Sequence, residues 1–262
     1  MKILIGIAII YLIICIGYYL FQEKIIFHPE KIAQDFNYQY PVPYEEHFLK
    51  TDDGVSINVV HAKTENASGV VLYFHGNAAH LYELGYVAGE LASFGYDVLL
   101  MDYRSYGKST GKLSEENLHK DARMCYNWLL EQYDPSQIII YGRSIGTGVA
   151  TKLASTVPHQ KLVLESPYYS VIDLGQYYTP YLPYKLLVRY PLKSGEYIQK
   201  VTSPVFIIHG KEDKIVPFAS GKKLAEATPN LGKFYELDYA GHNDLGQFDT
   251  YHKALADVFF NH

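Results

Sequence analysis

The passage Gln137-Ile138-Ile139-Ile140-Tyr141-Gly142-Arg143-Ser144-Ile145-Gly146-Thr147-Gly148-Val149-Ala150 constrains this chain more than any other. It begins as a short apolar run of the kind found in buried strands and ends as a run of small residues suited to a closely packed helix. Between the two stands Gly-x-Ser-x-Gly, so the strand has to reverse into the helix through one sharp turn with Ser144 at its tip. Glycines flank the serine because a turn wedged between a strand and a helix leaves no room for side chains. Such a turn belongs to a layered arrangement in which helices cover a sheet.

The rest of the chain repeats the alternation. Residues 70–74, 98–101, 138–141, 162–164, 205–208 and 234–237 are short apolar runs, as expected of strands covered on both faces in a parallel sheet. Residues 44–50 and 55–61 read as a hairpin about Thr51-Asp52-Asp53-Gly54, whose Asp-Gly step is a strong turn signal. Leu81, Leu84, Val87 and Leu91 recur at helical spacing and stop near Gly95, a suitable C-terminal glycine. Leu118, Ala122, Cys125 and Leu129 share one face of a helix that Ser114 can cap, and Phe248, Tyr251, Leu255 and Val258 form the stripe of a last helix. These elements predict an α/β fold, a mostly parallel, doubly wound eight-stranded sheet with helices on both faces.

A second Gly-x-Ser-x-Gly, Gly107-Lys108-Ser109-Thr110-Gly111, competes with the first, and its Gly-Lys-Ser also ends like a phosphate-binding loop. Counting back from Gly107 puts Asp102 where that loop needs its first glycine, so the phosphate reading fails. Ser109 also lies several residues beyond the strand that ends at Met101, in a polar loop before Ser114. A nucleophile elbow needs a strand feeding directly into the turn and a helix leaving it, which only Ser144 has. Ser144 is therefore the candidate nucleophile and Ser109 a loop residue.

A serine hydroxyl is a weak nucleophile at neutral pH and needs a base that is itself oriented by an acid. Asp213, in "HGKEDKIVP", follows the strand at 205–208, and His242, in "YAGHND", follows the strand at 234–237. The chain order Ser, Asp, His and the placement of both loops at strand carboxyl ends suit an open α/β sheet, where ligands collect at that edge. Glu165, after its own strand, is the substitute acid. His209 adjoins the strand of the acid and His252 lies on the last helix, so both fit the base less well. Donors for a developing oxyanion are expected from the backbone N–H of Ile145 and from Asn77 in "FHGNAAH". His75 reads as a brace for that loop rather than as a second base.

Ahead of this domain, residues 3–21 run for 19 positions without a charge, a length that at about 1.5 Å per residue nearly matches a hydrocarbon core of about 30 Å. No small-x-small cleavage site follows, and no small residue precedes Cys15 in the manner of a lipoprotein, so residues 1–22 are expected to be an uncleaved membrane anchor. Lys2 with the amino terminus, against Lys24 and Lys31 diluted by Glu23 and Glu30, slightly favours a catalytic domain outside the cytoplasm. Residues 23–43, with Pro29, Pro41, Pro43 and aromatics suited to an interfacial belt, read as a connector to a folded domain at 44–262. Within that domain residues 166–200 hold eight tyrosines and four prolines and are too long for a simple link, so they read as a small cap.

Composition narrows the partners. A net charge of −5 argues against nucleic acid, whose phosphates select basic surfaces. With Cys15 and Cys125 as the two cysteines there is no disulfide framework, and with no H-E-x-x-H and no second ligand pair for His75 and His80, no metal or other cofactor is expected.

Taken together, "FHGN", "DYRSYGKSTGKLSEENL", "YGRSIGTG", "PVFIIHGKEDKIVP" and "GHND" resemble the α/β-hydrolase superfamily from about Tyr44 onward. More narrowly they resemble membrane-anchored ABHD-type and Bem-type serine hydrolases, in which a span and a segment like "FQEKIIFHP" precede the catalytic domain. The resemblance implies that "DYRSYGKSTG" is a loop near the active site. It also implies hydrolysis of an ester or thioester through an acyl-enzyme. The Tyr- and Leu-rich cap beside an anchor points to an apolar acyl substrate, a small-molecule or lipid ester or an acylated protein. Relatives that remove palmitate from proteins carry a cysteine-rich acylated N-terminus, from which this chain departs in having Cys15 alone within a spanning helix. A peptidase on the same fold would use the same residues, and a non-enzymatic membrane-tethered interaction protein would be marked by a degraded elbow or triad.

Overall fold

In the computed structural model, which describes residues 1–260, the hairpin forms strands β1 (Tyr44–Lys50) and β2 (Ser56–Ala62), and the apolar runs form β3 (Val70–Phe74), β4 (Asp97–Met101), β5 (Ile138–Arg143), β6 (Lys161–Glu165), β7 (Val205–Gly210) and β8 (Leu231–Leu237). They join in one sheet of order β1-β2-β4-β3-β5-β6-β7-β8. β1 pairs antiparallel with β2, and β2 with β4; the remaining neighbours run parallel. The helices are α1 (Lys2–Ile26), α2 (Gly85–Ser93), α3 (Glu115–Leu129), α4 (Gly146–Ala154), α5 (Val171–Tyr178), α6 (Tyr184–Leu187), α7 (Ser194–Tyr197), α8 (Phe218–Glu226) and α9 (Asp249–Phe260).

Side-chain alternation along the strands sorts the core into two layers, because successive residues of a strand point to opposite faces. Leu72, Phe74, Ile140, Leu164 and Ile207 pack with residues of α3, α4 and α8, while Val71, Tyr73, Ile139, Val163 and Ile208 pack with α2 and α9. Near-continuous apolar runs are what such double coverage requires. Ser114 caps α3 by accepting the Asn117 N–H at 3.1 Å.

Two expectations need correction. The pattern starting at Leu81 is not one helix: a 3-10 turn spans Leu81–Glu83 and α2 begins at Gly85. The Leu81 N–H is taken by Asp102 Oδ1 at 3.2 Å, and Gly85 lies under the connector, where a Cβ would come within 2.9 Å of the Gln39 carbonyl. Nor do the connector aromatics Phe27 and Tyr38 form a belt. Both are core residues, with Tyr38 donating to Asn58 Oδ1 at 2.7 Å, and the Gly107 N–H is held by the Glu30 carbonyl at 2.8 Å. The segment after α1 is thus laid onto the domain. Helices α5, α6 and α7 lie between β6 and β7, in the segment read as a cap, and α1 runs alongside α6.

Candidate active site

β5 delivers Ser144 into a turn with φ of +53°, a left-handed conformation that a side chain rarely adopts and that costs on the order of 1–3 kcal/mol. Its neighbours enforce the turn. A Cβ at Gly142 would sit 2.6 Å from the Gly146 carbonyl oxygen and 2.7 Å from Ala150 Cβ; one at Gly146 would sit 2.2 Å from the Phe74 carbonyl oxygen. The same close approach brings the end of β3 against the elbow, so that a Cβ at Gly76 would meet Ser144 Cβ at 3.6 Å.

Ser144, His242 and Asp213 come together although 98 and 29 positions separate successive members in the hydrogen-bonded chain. Ser144 Oγ lies 2.9 Å from His242 Nε2, and His242 Nδ1 lies 2.7 Å from Asp213 Oδ2. Asp213 Oδ1 accepts the N–H groups of Ile215 and Val216 at 2.9 and 2.8 Å, which fixes the carboxylate with Oδ2 turned toward His242 and His209. Burial works to raise the Asp213 carboxyl, but hydrogen bonds from His209 and His242 outweigh it and hold the group well below the usual carboxylate range. An ionised acceptor at Nδ1 selects the tautomer whose Nε2 lone pair faces the serine.

Ile145 stands at the N-terminus of α4, where backbone N–H groups have no partner within the helix and the dipole favours negative charge. Tyr168 donates its hydroxyl to the Ile145 carbonyl at 3.0 Å, and Tyr106 donates to the Asn77 carbonyl at 2.6 Å. Both residues expected to supply oxyanion donors thus have their carbonyls, on the peptide that follows the donor N–H, held by tyrosines, and both line the cavity that holds Ser144.

The competing residues are engaged elsewhere. Glu165 accepts from Tyr141 at 2.6 Å, Tyr251 at 3.1 Å and Arg143 Nε at 2.8 Å. Ser109 is buried, donating to the Asp102 carbonyl and accepting the Asn58 N–H, each at 2.8 Å. His75 braces its loop, with Nδ1 2.7 Å from the Gly76 carbonyl and its ring 4.2 Å from that of Tyr103; burial pushes it down to about 3, so it is neutral. His252 pairs with Glu90 at 3.0 Å on the surface.

Three contributions escaped the sequence. Arg143, the variable residue before the serine, reaches from Glu165 to the His242 carbonyl at 3.1 Å and Asn243 Oδ1 at 3.2 Å, tying the histidine loop to the elbow. His209 lies 3.3 Å from Asp213 Oδ2. Tyr18, Ile25 and Ile26 of α1 line the cavity together with cap residues that include Val171, Leu174 and Leu182. An arginine inside an otherwise small, tight turn was a signal for the first. Gln22, a polar residue at the end of an apolar helix, was one for the third.

That cavity measures about 460 Å³, within the roughly 300–1,000 Å³ of small-molecule sites, and its lining is mostly apolar. A larger one of about 720 Å³ is lined by groups such as Lys50, Asp53, Lys120, Arg123 and Lys152 and holds none of the candidate residues. Among the described residues no group of three His, Cys, Asp or Glu side chains is arranged to hold a metal.

A family model described as "Serine aminopeptidase, S33" matches residues 65–194. An uncharacterized protein of Mycobacterium tuberculosis is 36% identical over 200 residues, covering 75% of this chain and 71% of its own length. Lysophosphatidylserine lipase ABHD12 of Danio rerio is 30% identical over 223 residues, with 68% of this chain and 56% of that protein covered. Among solved structures, the Pyrococcus furiosus esterase Pf2001 superposes with a TM-score of 0.70 at 23% identity, covering 89% of this chain and 98% of its own.

Proposed function

Because this chain belongs to the α/β-hydrolase superfamily, we propose that it is a serine hydrolase acting on carboxylic esters or thioesters of an apolar acyl group. Ser144 Oγ attacks the acyl carbonyl as His242 Nε2 takes its proton, and ionised Asp213 holds the imidazole and stabilises the imidazolium that forms. The Ile145 N–H and Asn77 receive the developing oxyanion. His242 returns the proton to the leaving alcohol or thiol, and a water activated by the same ring then releases the acid from the acyl-enzyme. The single observation carrying this reading is the continuous hydrogen-bonded series Asp213 Oδ2, His242, Ser144 Oγ at the wall of an apolar cavity.

The peptidase alternative draws on the description of the family model. An aminopeptidase has to recognise a free α-ammonium, which calls for an acidic partner, and no lining residue of the cavity at Ser144 is acidic. The lipase name borne by one relative favours the ester as well. The α1 helix, long and apolar enough to cross a bilayer, would tether the enzyme to a membrane, with Lys2 favouring a catalytic domain outside the cytoplasm. In the test, a fluorophosphonate probe labels the full chain and Ser144→Ala abolishes both the label and turnover of p-nitrophenyl esters, by roughly 10⁴-fold or more. Near-normal turnover in Ser144→Ala refutes the assignment.

A further inference from the structure

The helix that would anchor this protein is built into its cavity. Tyr11, Cys15, Tyr18, Gln22 and Ile26 recur at intervals of three and four, so they share one face of α1, and that face meets the cap. Tyr11 donates its hydroxyl to the Tyr181 carbonyl at 2.8 Å, and the Tyr18 ring meets Tyr184 edge-on at 5.2 Å. Gln22, fully buried, donates to the Leu187 carbonyl at 2.9 Å and accepts the Arg189 N–H at 2.7 Å. Glu23 pairs with Arg189 at 3.1 Å and accepts the Tyr190 hydroxyl at 2.7 Å. A simple tether needs none of these contacts, since any apolar helix on a free connector would hold the domain to a membrane.

The contacts also fix depth. From Tyr11 to Gln22 the helix rises about 16 Å, whereas residues 3–21 rise about 28 Å in all. With that segment in a bilayer, the cap lies beside roughly half of it, within the leaflet nearest the domain. The outer side of the cap suits this position. Tyr181 and Leu186 are 85% and 82% exposed, with Tyr177 also outward, and on the face of α1 turned away from the cap Ile13 and Leu20 are exposed as well.

We propose that α1 is one wall of the acyl-binding site and that the cap is sunk into the same leaflet, so that substrate enters sideways between them. This rests on the hydrolase reading above and names its substrate class: a long-chain acyl ester or thioester resident in the membrane. Its carbonyl lies at Ser144 and its tail runs along Tyr18, Ile25, Leu182 and Tyr184. Lateral entry keeps each methylene in apolar surroundings throughout, where a route through water would expose it.

The test uses the full chain in phosphatidylcholine vesicles with p-nitrophenyl acetate and p-nitrophenyl palmitate. The pair Tyr18→Ala with Ile25→Ala is expected to lower the palmitate-to-acetate turnover ratio by about tenfold or more, and Ile25→Trp, which fills the groove instead of emptying it, to lower it likewise. The lipid-facing pair Ile13→Ala with Leu20→Ala leaves the ratio unchanged. A ratio unmoved in the groove variants while Ser144 still takes the fluorophosphonate label overturns the inference and spares the hydrolase reading; turnover indifferent to Ser144→Ala overturns that reading first. For depth, Leu186→Trp in a Trp128→Phe background is expected to be quenched by brominated phosphatidylcholine. Absence of quenching shows that the cap stays in water and refutes lateral entry.

Discussion

Asp102 offers a test of the electrostatics beneath the site. The residue follows β4, is fully buried, and receives one backbone N–H, from Leu81, while its Oδ2 has no hydrogen-bond partner among the described residues. Gly107 presses on that oxygen: a Cβ there would come within 1.9 Å of it. Burial pushes the Asp102 carboxyl from 3.8 up to about 7, against the Leu81 N–H and the ammonium of Lys31, which lower it, with Glu46 adding a smaller upward push. Neutral His75, its Nε2 3.7 Å from Oδ1, supplies no countercharge. The folded protein therefore keeps a proton that the unfolded chain releases near pH 4. Stability from this group is full below about pH 4 and is lost as pH rises to about 7, a loss on the order of 4 kcal/mol at about 1.4 kcal/mol per pH unit. Asp102→Asn keeps the acceptor for Leu81 and carries no charge. Urea unfolding of the full chain in detergent micelles, followed by circular dichroism, is expected to show variant and parent alike near pH 4. By about pH 7.5 the variant is more stable by several kcal/mol. The difference between the two is the quantity to read, because His61, pushed down to about 4 by burial, gains stability with rising pH over the same window in both proteins. A difference that stays flat from about pH 4 to 7.5 would refute the desolvation reasoning.

Arg143→Met removes the guanidinium joining Glu165 to the His242 loop. Breaking such a pair from one side costs about 3–5 kcal/mol, and the lower end is expected in urea unfolding because Tyr141 and Tyr251 still donate to Glu165. Fluorophosphonate labelling should slow as well, and an unchanged labelling rate would show that Arg143 does not position His242. Ser109→Ala loses two buried hydrogen bonds and should destabilise by about 1–3 kcal/mol while leaving the label on Ser144. Loss of label in a folded Ser109→Ala protein would reverse the assignment of the two serines.

What the amino-acid order determined by itself was local or periodic. The elbow could be read because steric exclusion at Gly142 and Gly146 acts on neighbours in sequence, six of the strands because covered strands demand apolar runs, and the β1–β2 hairpin because its Asp-Gly turn is local. Asp213 and His242 could be placed at one sheet edge because a parallel sheet aligns the carboxyl ends of its strands. Adjacency in space was decided only by the tertiary structure. Arg143 meets Glu165 because β5 lies beside β6 in register, and nothing in either segment names the other. Phe27 and Tyr38 read as belt aromatics because burial in a core and burial in a membrane interface select the same side chains. The apolar stretch of α1 was visible as a helix long and apolar enough to cross a membrane, but a hydrophobic helix looks alike whether it faces lipid or a cavity. Which side of it Tyr18 and Ile25 present to Ser144 depends on contacts with a cap more than 150 residues away, a relation carried by packing and not by any pattern along the chain.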